Sequence, residues 1–120
     1  MDEDTSIEDL KRAAVAFRDK RNWKQFHDAK NLAAGLAIEA AELQELFLWK
    51  SPAEVDAFLA SDQGRLRLQE EIADVAVFLL YLCDAASIDL SDAVRSKIAL
   101  NEKKYPVDRS YNSNKKYSEI

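Results

Sequence analysis

The sequence predicts an all-α fold, a compact bundle of four main helices with a short additional one. Only two glycines and two prolines occur in 120 residues, too few turn formers to reverse the strands of an all-β domain of this length. Apolar residues recur instead at three- and four-residue steps, the spacing of one helical face. An apolar fraction of 48% supplies one core, so residues 1–120 are expected to form a single domain, with about 106–120 a polar, irregular tail.

Thr5-Ser6-Ile7-Glu8 matches a capping box and opens a first helix, with Ile7, Leu10, Ala14 and Phe17 along one stripe and an end near Arg21. The segment Asn22 to Asp28 breaks that pattern, and Leu32, Leu36, Ala40, Leu43, Leu46 and Phe47 resume it in a long second helix. Ser51-Pro52-Ala53-Glu54 stops this helix and starts a short third one: Ser is a good N-cap, Pro suits the first helical position and Glu closes the box. The chain is expected to turn over Ser61 to Gly64. Leu66 to Ala86 then reads as a helix apolar nearly all round, hence central, with Glu70, Glu71 and Asp74 as its exceptions. A last helix runs from near Asp89 to about Lys104, where Pro106 stops it.

Composition narrows the function. A net charge of −5 argues against non-specific nucleic-acid binding, which needs basic surface to displace phosphate counterions. The charge is uneven: residues 1–94 hold 10 Lys+Arg against 19 Asp+Glu, net −9, whereas residues 95–120 hold 7 against 3, net +4. Cys83 is the only cysteine, so neither an intrachain disulfide nor a cysteine zinc site can form within one chain. The acidic start and an apolar run, Val75 to Cys83, well short of a bilayer span lead us to expect a soluble, cytoplasmic protein without membrane contact.

The chemistry lies in the acids. The second helix carries Glu39-Ala40-Ala41-Glu42 and the fourth carries Glu71-Ile72-Ala73-Asp74, so each presents two carboxylates on one face. A single such pair is most often an exposed feature of an amphipathic helix. Here Glu39 and Asp74 sit among alanine, leucine, isoleucine and valine, and both are expected to be partly buried. Two like charges about 4 Å apart repel by roughly 4 kcal/mol at an effective dielectric near 20, and a cation would relieve that cost. The donors are hard oxygens with no helical Glu-x-x-His repeat, which favours Mg²⁺, with Mn²⁺ as a substitute, over iron or zinc.

The double signature Glu-x-x-Glu and Glu-x-x-Asp resembles the MazG-like all-α nucleotide pyrophosphohydrolases. The likeness extends to Asn22-Trp23-Lys24-Gln25-Phe26-His27, Asn31-Leu32, the run Glu42 to Lys50, Lys97 with Asn101, Lys104-Tyr105-Pro106 and Lys116-Tyr117, features of the dCTP pyrophosphatase branch. It implies Mg²⁺-dependent hydrolysis of a nucleoside triphosphate to monophosphate and pyrophosphate in a house-cleaning role. Glu39, Glu42, Glu71 and Asp74 would be the metal ligands and catalytic carboxylates, with Glu45 a further candidate for positioning water. It also implies that Trp23 and Trp49 edge the base, that His27 lies near the nucleotide, and that Lys97 and Asn101 contact phosphate, with Tyr105 and Lys116 as weaker members. Family members assemble as dimers or dimers of dimers, so a homo-oligomer is expected, a tetramer before a dimer. The chain departs from the branch at Phe78, where relatives commonly show tyrosine, and at Ala14, where histidine is found; both bear on base selectivity. Two other readings are a non-catalytic dimerisation or regulatory module, which has no use for clustered carboxylates, and a phosphoribosyl-ATP type hydrolase.

Overall fold

In the computed structural model, which describes residues 1–120, every regular element is helical: α1 (Ile7–Asp19), α2 (Ala29–Glu45), α3 (Pro52–Ala60), α4 (Asp62–Ala86), α5 (Leu90–Lys104) and the one-turn α6 (Val107–Ser110). Tight 3-10 turns occur at Lys24–Phe26 and Tyr117–Glu119. The chain divides into two compact units, Met1–Ser87 and Ile88–Ile120.

In the first unit each main helix begins on a side-chain cap. The box at α1 is shifted by one residue from the sequence expectation. Ser6 is the N-cap: its hydroxyl accepts from the Asp9 N–H at 3.0 Å, while the Asp9 carboxylate accepts from the Ser6 N–H at 2.9 Å. Glu8 is thereby free to pair with Lys11 at 2.8 Å and Arg12 at 3.2 Å. The helix closes at Asp19, earlier than Arg21, and the segment that follows contains the Lys24–Phe26 turn. Asp28 caps α2 by accepting from the Asn31 N–H at 2.7 Å. Ser51, Pro52 and Glu54 form the expected box at α3.

The turn expected over Ser61 to Gly64 shrinks to one residue. Ser61 ends α3 and caps α4, its hydroxyl accepting from the Gly64 N–H at 3.0 Å. Gly64 lies inside the first turn of α4, where a Cβ would collide with the Phe58 carbonyl oxygen. Glycine here permits a close approach and does not break the helix. The other glycine, Gly35 on α2, works the same way, since a Cβ there would strike the Phe78 ring of α4.

As expected, α4 is central to this unit, packing against α1, α2 and α3. Leu32, Leu46, Leu80, Tyr81 and Cys83 are the buried residues of the core, yet Leu66, Ile72 and Ile38 each remain more than half exposed. Apolar residues around the whole circumference of α4 therefore do not mean burial on every side within one chain.

In the second unit Asp89 caps α5 by accepting from the Asp92 N–H at 2.9 Å. Tyr105 closes the helix with an N–H donated to the Asn101 carbonyl at 2.8 Å, and Pro106, which cannot continue it, instead starts α6. The tail is more ordered than its polarity implied. The Tyr105 and Tyr117 rings meet edge to face at 6.1 Å, and the Lys104 ammonium sits 4.8 Å from the Tyr117 ring centre.

Candidate active site

Helices α2 and α4 bring three of the four predicted carboxylates together. Glu39, Glu42 and Glu71 each offer an oxygen, and these oxygens lie within 4.8 Å of one another. Glu39 and Glu71 are half-buried, and each has one oxygen, Oε2, shut off from solvent without a hydrogen-bond partner. Such orphaned atoms are rare because each carries the full cost of its lost hydration. Burial, then the neighbouring Glu42, Asp74 and Glu71, pushes the Glu39 carboxyl up to about 7. Glu71 is raised by burial first and by the charges of Glu42, Asp74 and Glu70 next.

The residues fit a hard divalent cation. Oxygens around an octahedral Mg²⁺ stand about 3 Å apart when adjacent and about 4.2 Å apart when opposite, so three carboxylates with oxygens within 4.8 Å of one another can close on a single ion, and the two orphaned oxygens come from different helices. A cation among these carboxylates would offset both the cost of their burial and their mutual repulsion.

Asp74 is placed differently from the expectation. It is exposed, not partly buried, and stands outside the group of three, although Glu39 and Glu71 both feel its charge. Alanines at 73 and 76 and Ile72 flank it, but these are themselves exposed, so apolar neighbours in sequence did not translate into burial. Its side chain lines a cavity of about 380 Å³ between α1 and α4, walled by Leu10, Ala14 and Phe17 on one side and by Val77 and Tyr81 on the other. Glu45, exposed at the end of α2, lies on a separate depression with Ala41, Gln44 and Leu48.

Aromatic residues gather about the α1–α4 cavity. Phe17 meets Trp23 edge to face at 5.8 Å, and the Arg21 guanidinium lies 3.7 Å from the Phe17 ring centre. His27 packs against Tyr81 with ring centres 5.0 Å apart, its Nδ1 buried without a partner. Burial, helped by the Arg18 charge, lowers the His27 pKa. Trp49 is 92% exposed and holds a left-handed backbone, φ 63°, an uncommon conformation for so large a residue. Phe78 lies against Gly35 and the edge of Tyr81 instead of in the cavity wall. In the second unit Lys97 is exposed and Asn101 half-buried, four residues apart on α5, and Tyr105 is the cap described above.

Sequence reasoning missed a polar clamp behind the cavity. Arg18, 3% exposed, pairs with Asp84 at 3.0 Å and Asp19 at 2.9 Å, and the Tyr81 hydroxyl donates to the Ala14 carbonyl at 3.0 Å. A charged residue one turn after Ala14 on the apolar stripe of α1, and an aspartate inside the apolar helix α4, were its signals.

A family model described as MazG-like matches residues 35–120, most of the chain and all four acids. The chain belongs to the MazG-like family. Among MazG-like relatives, dCTP pyrophosphatase 1 of Homo sapiens is 38% identical over 115 residues, spanning 96% of this chain and 68% of that protein. Its counterpart in Rattus norvegicus is 40% identical over the same shares. The crystal structure of a pyrophosphatase from Archaeoglobus fulgidus superposes with a TM-score of 0.76 at 45% identity, covering 82% of this chain and 91% of that one. No helix is long and apolar enough to cross a membrane.

Proposed function

We propose that this chain is an Mg²⁺-dependent nucleoside triphosphate pyrophosphohydrolase of the cytoplasmic nucleotide pool, favouring dCTP-like substrates and releasing the monophosphate and pyrophosphate. The observation that carries this reading is the pair of orphaned oxygens, Glu39 Oε2 and Glu71 Oε2, within a three-carboxylate cluster. The resemblance to dCTP pyrophosphatase 1 supplies the substrate class.

Glu39, Glu42 and Glu71 hold the ion in this reading, with Asp74 completing the set from the cavity side. When bound, the ion neutralises triphosphate charge and makes an attacking water more acidic. The chain's own groups do the rest. A carboxylate of the quartet not fully engaged by the ion accepts the proton of the water that attacks the α-phosphorus. Trp23 and Trp49 flank the base, His27 lies near it, and Lys97, Asn101 and Tyr105 contact the phosphates. The bare apolar residues Leu66, Ile72 and Ile38 support a homo-oligomer, with a tetramer ahead of a dimer.

The deciding assay offers all dNTPs and NTPs with Mg²⁺ and resolves the products. Equal amounts of monophosphate and pyrophosphate, with dCTP giving the highest kcat/KM and a chelator stopping the reaction, are expected. Release of orthophosphate, or no turnover of any nucleotide, would overturn the reading.

A further inference from the structure

The α1–α4 cavity continues the face of α4 that carries the acids. Asp74 stands at the end whose charge reaches Glu39 and Glu71, and Tyr81 lies seven residues further on, about 10 Å along the helix axis. At about 380 Å³ the cavity is near the lower bound of small-molecule sites. It suits one heterocycle, with the phosphates left outside at the carboxylates.

Tyr81 closes the far end and is 4% exposed. Its ring is fixed on several sides: the hydroxyl donates to the Ala14 carbonyl at 3.0 Å, His27 packs on it at 5.0 Å, and Phe78 meets it edge to face at 6.3 Å. Arg18, itself anchored by Asp84, lies 5.9 Å from its centre. With its hydroxyl proton committed to the Ala14 carbonyl, the residue has no donor left for an occupant and meets it chiefly with its ring. An occupant therefore meets a fixed ring and no free hydrogen-bond donor, and discrimination at this end operates chiefly through size.

We propose that Tyr81 is a specificity-determining residue of the nucleotide site, setting the depth of the α1–α4 cavity and hence the size of the heterocycle accepted. This rests on the nucleotide reading above. Ala14, whose carbonyl receives the Tyr81 hydroxyl, lines the same cavity from α1, so the space at this end can be altered from either helix.

The test compares kcat/KM for dCTP and dTTP with that for dATP and dGTP in four proteins: wild type, Tyr81→Leu, Tyr81→Phe and Ala14→Leu. A methylene's worth of space in an apolar pocket changes discrimination by about tenfold or more. Tyr81→Leu should shift the purine-to-pyrimidine ratio at least about tenfold toward purines, and Ala14→Leu should shift it the other way. Tyr81→Phe keeps the ring and should hold the ratio within about twofold while lowering the melting temperature through loss of the bond to Ala14. Should Tyr81→Leu fail to fold, Ala14→Leu decides. A folded variant that slows every nucleotide alike, leaving the ratio unmoved, would overturn the proposal and leave the pyrophosphohydrolase reading standing. A wild-type protein inert toward all four would instead overturn that reading.

Discussion

Two regions of the first unit use buried polar groups in opposite ways. Between α1 and α4, Arg18 has Asp84 and Asp19, and the Tyr81 hydroxyl has the Ala14 carbonyl. Between α2 and α4, Glu39 and Glu71 each keep a buried oxygen with no partner, and the charges that act on them are acids, with Arg67 the one cation felt by Glu71. A satisfied network holds helices in place. An unsatisfied like-charged one destabilises the protein that carries it, which is the signature of a site built for a ligand. The same helix, α4, serves both, so a substitution on it can strike stability or chemistry depending on which partner helix it faces.

Removing one charge from the acid cluster should have the largest effect. Glu42→Gln is expected to lower kcat/KM by at least about 100-fold, the scale of losing a preorganised electrostatic contact, while circular dichroism stays helical. Turnover near the wild-type level would break the contrast between the two regions.

The opposite outcome is expected behind the cavity. Arg18→Ala leaves Asp84 without its partner, and because Asp84 retains about a third of its exposure the loss should be about 2 kcal/mol, below the range for a fully buried pair. A melting temperature lower by roughly 10 °C follows. An unchanged melt would show that the bridge does not hold α1 to α4.

A smaller and pH-dependent effect sharpens the contrast. In metal-free protein the Glu39 carboxyl is at about 7 against 4.5 for an unperturbed glutamate. Below 4.5 both folded and unfolded chains carry the proton and there is no penalty. Between 4.5 and about 7 the folded chain binds the proton more tightly, so stability falls as pH rises, and above 7 the penalty is complete. Thermal melts in chelator should show that decline, Glu39→Gln should flatten it, and Mg²⁺ should restore wild-type stability at pH 8 by mass action. A flat wild-type profile would remove the case for frustration in the cluster.

Much of this was readable in the residues. Ser51-Pro52-Ala53-Glu54 and the caps Asp89 and Pro106 act through local hydrogen bonding and ring geometry, so their positions in the sequence are sufficient. The three clustered acids were visible because three-residue spacing fixes a helical face. What stayed hidden depended on tertiary contact. Gly64 reads as the end of a turn until the Phe58 carbonyl is seen against it. Asp74 reads as partly buried until its alanine neighbours prove exposed. The Arg18–Asp84 bridge joins residues 66 positions apart, and no local pattern pairs them.

The smallest effect concerns Trp49. A left-handed backbone at a bulky residue costs roughly 1–2 kcal/mol, part of which glycine's extra freedom in the unfolded chain would offset. Trp49→Gly should therefore stabilise the protein by less than about 1 kcal/mol and weaken nucleotide binding through loss of the aromatic face. A variant both less stable and unchanged in affinity would make Trp49 a packing residue.

The one-residue corner at Ser61 has a consequence for how this domain can vary in length. Ser61 terminates α3 and begins α4, and Gly64 has no room to move off the Phe58 carbonyl. There is no slack chain there to absorb an added residue, and an insertion would rotate α4, with its acids and its cavity wall, out of register.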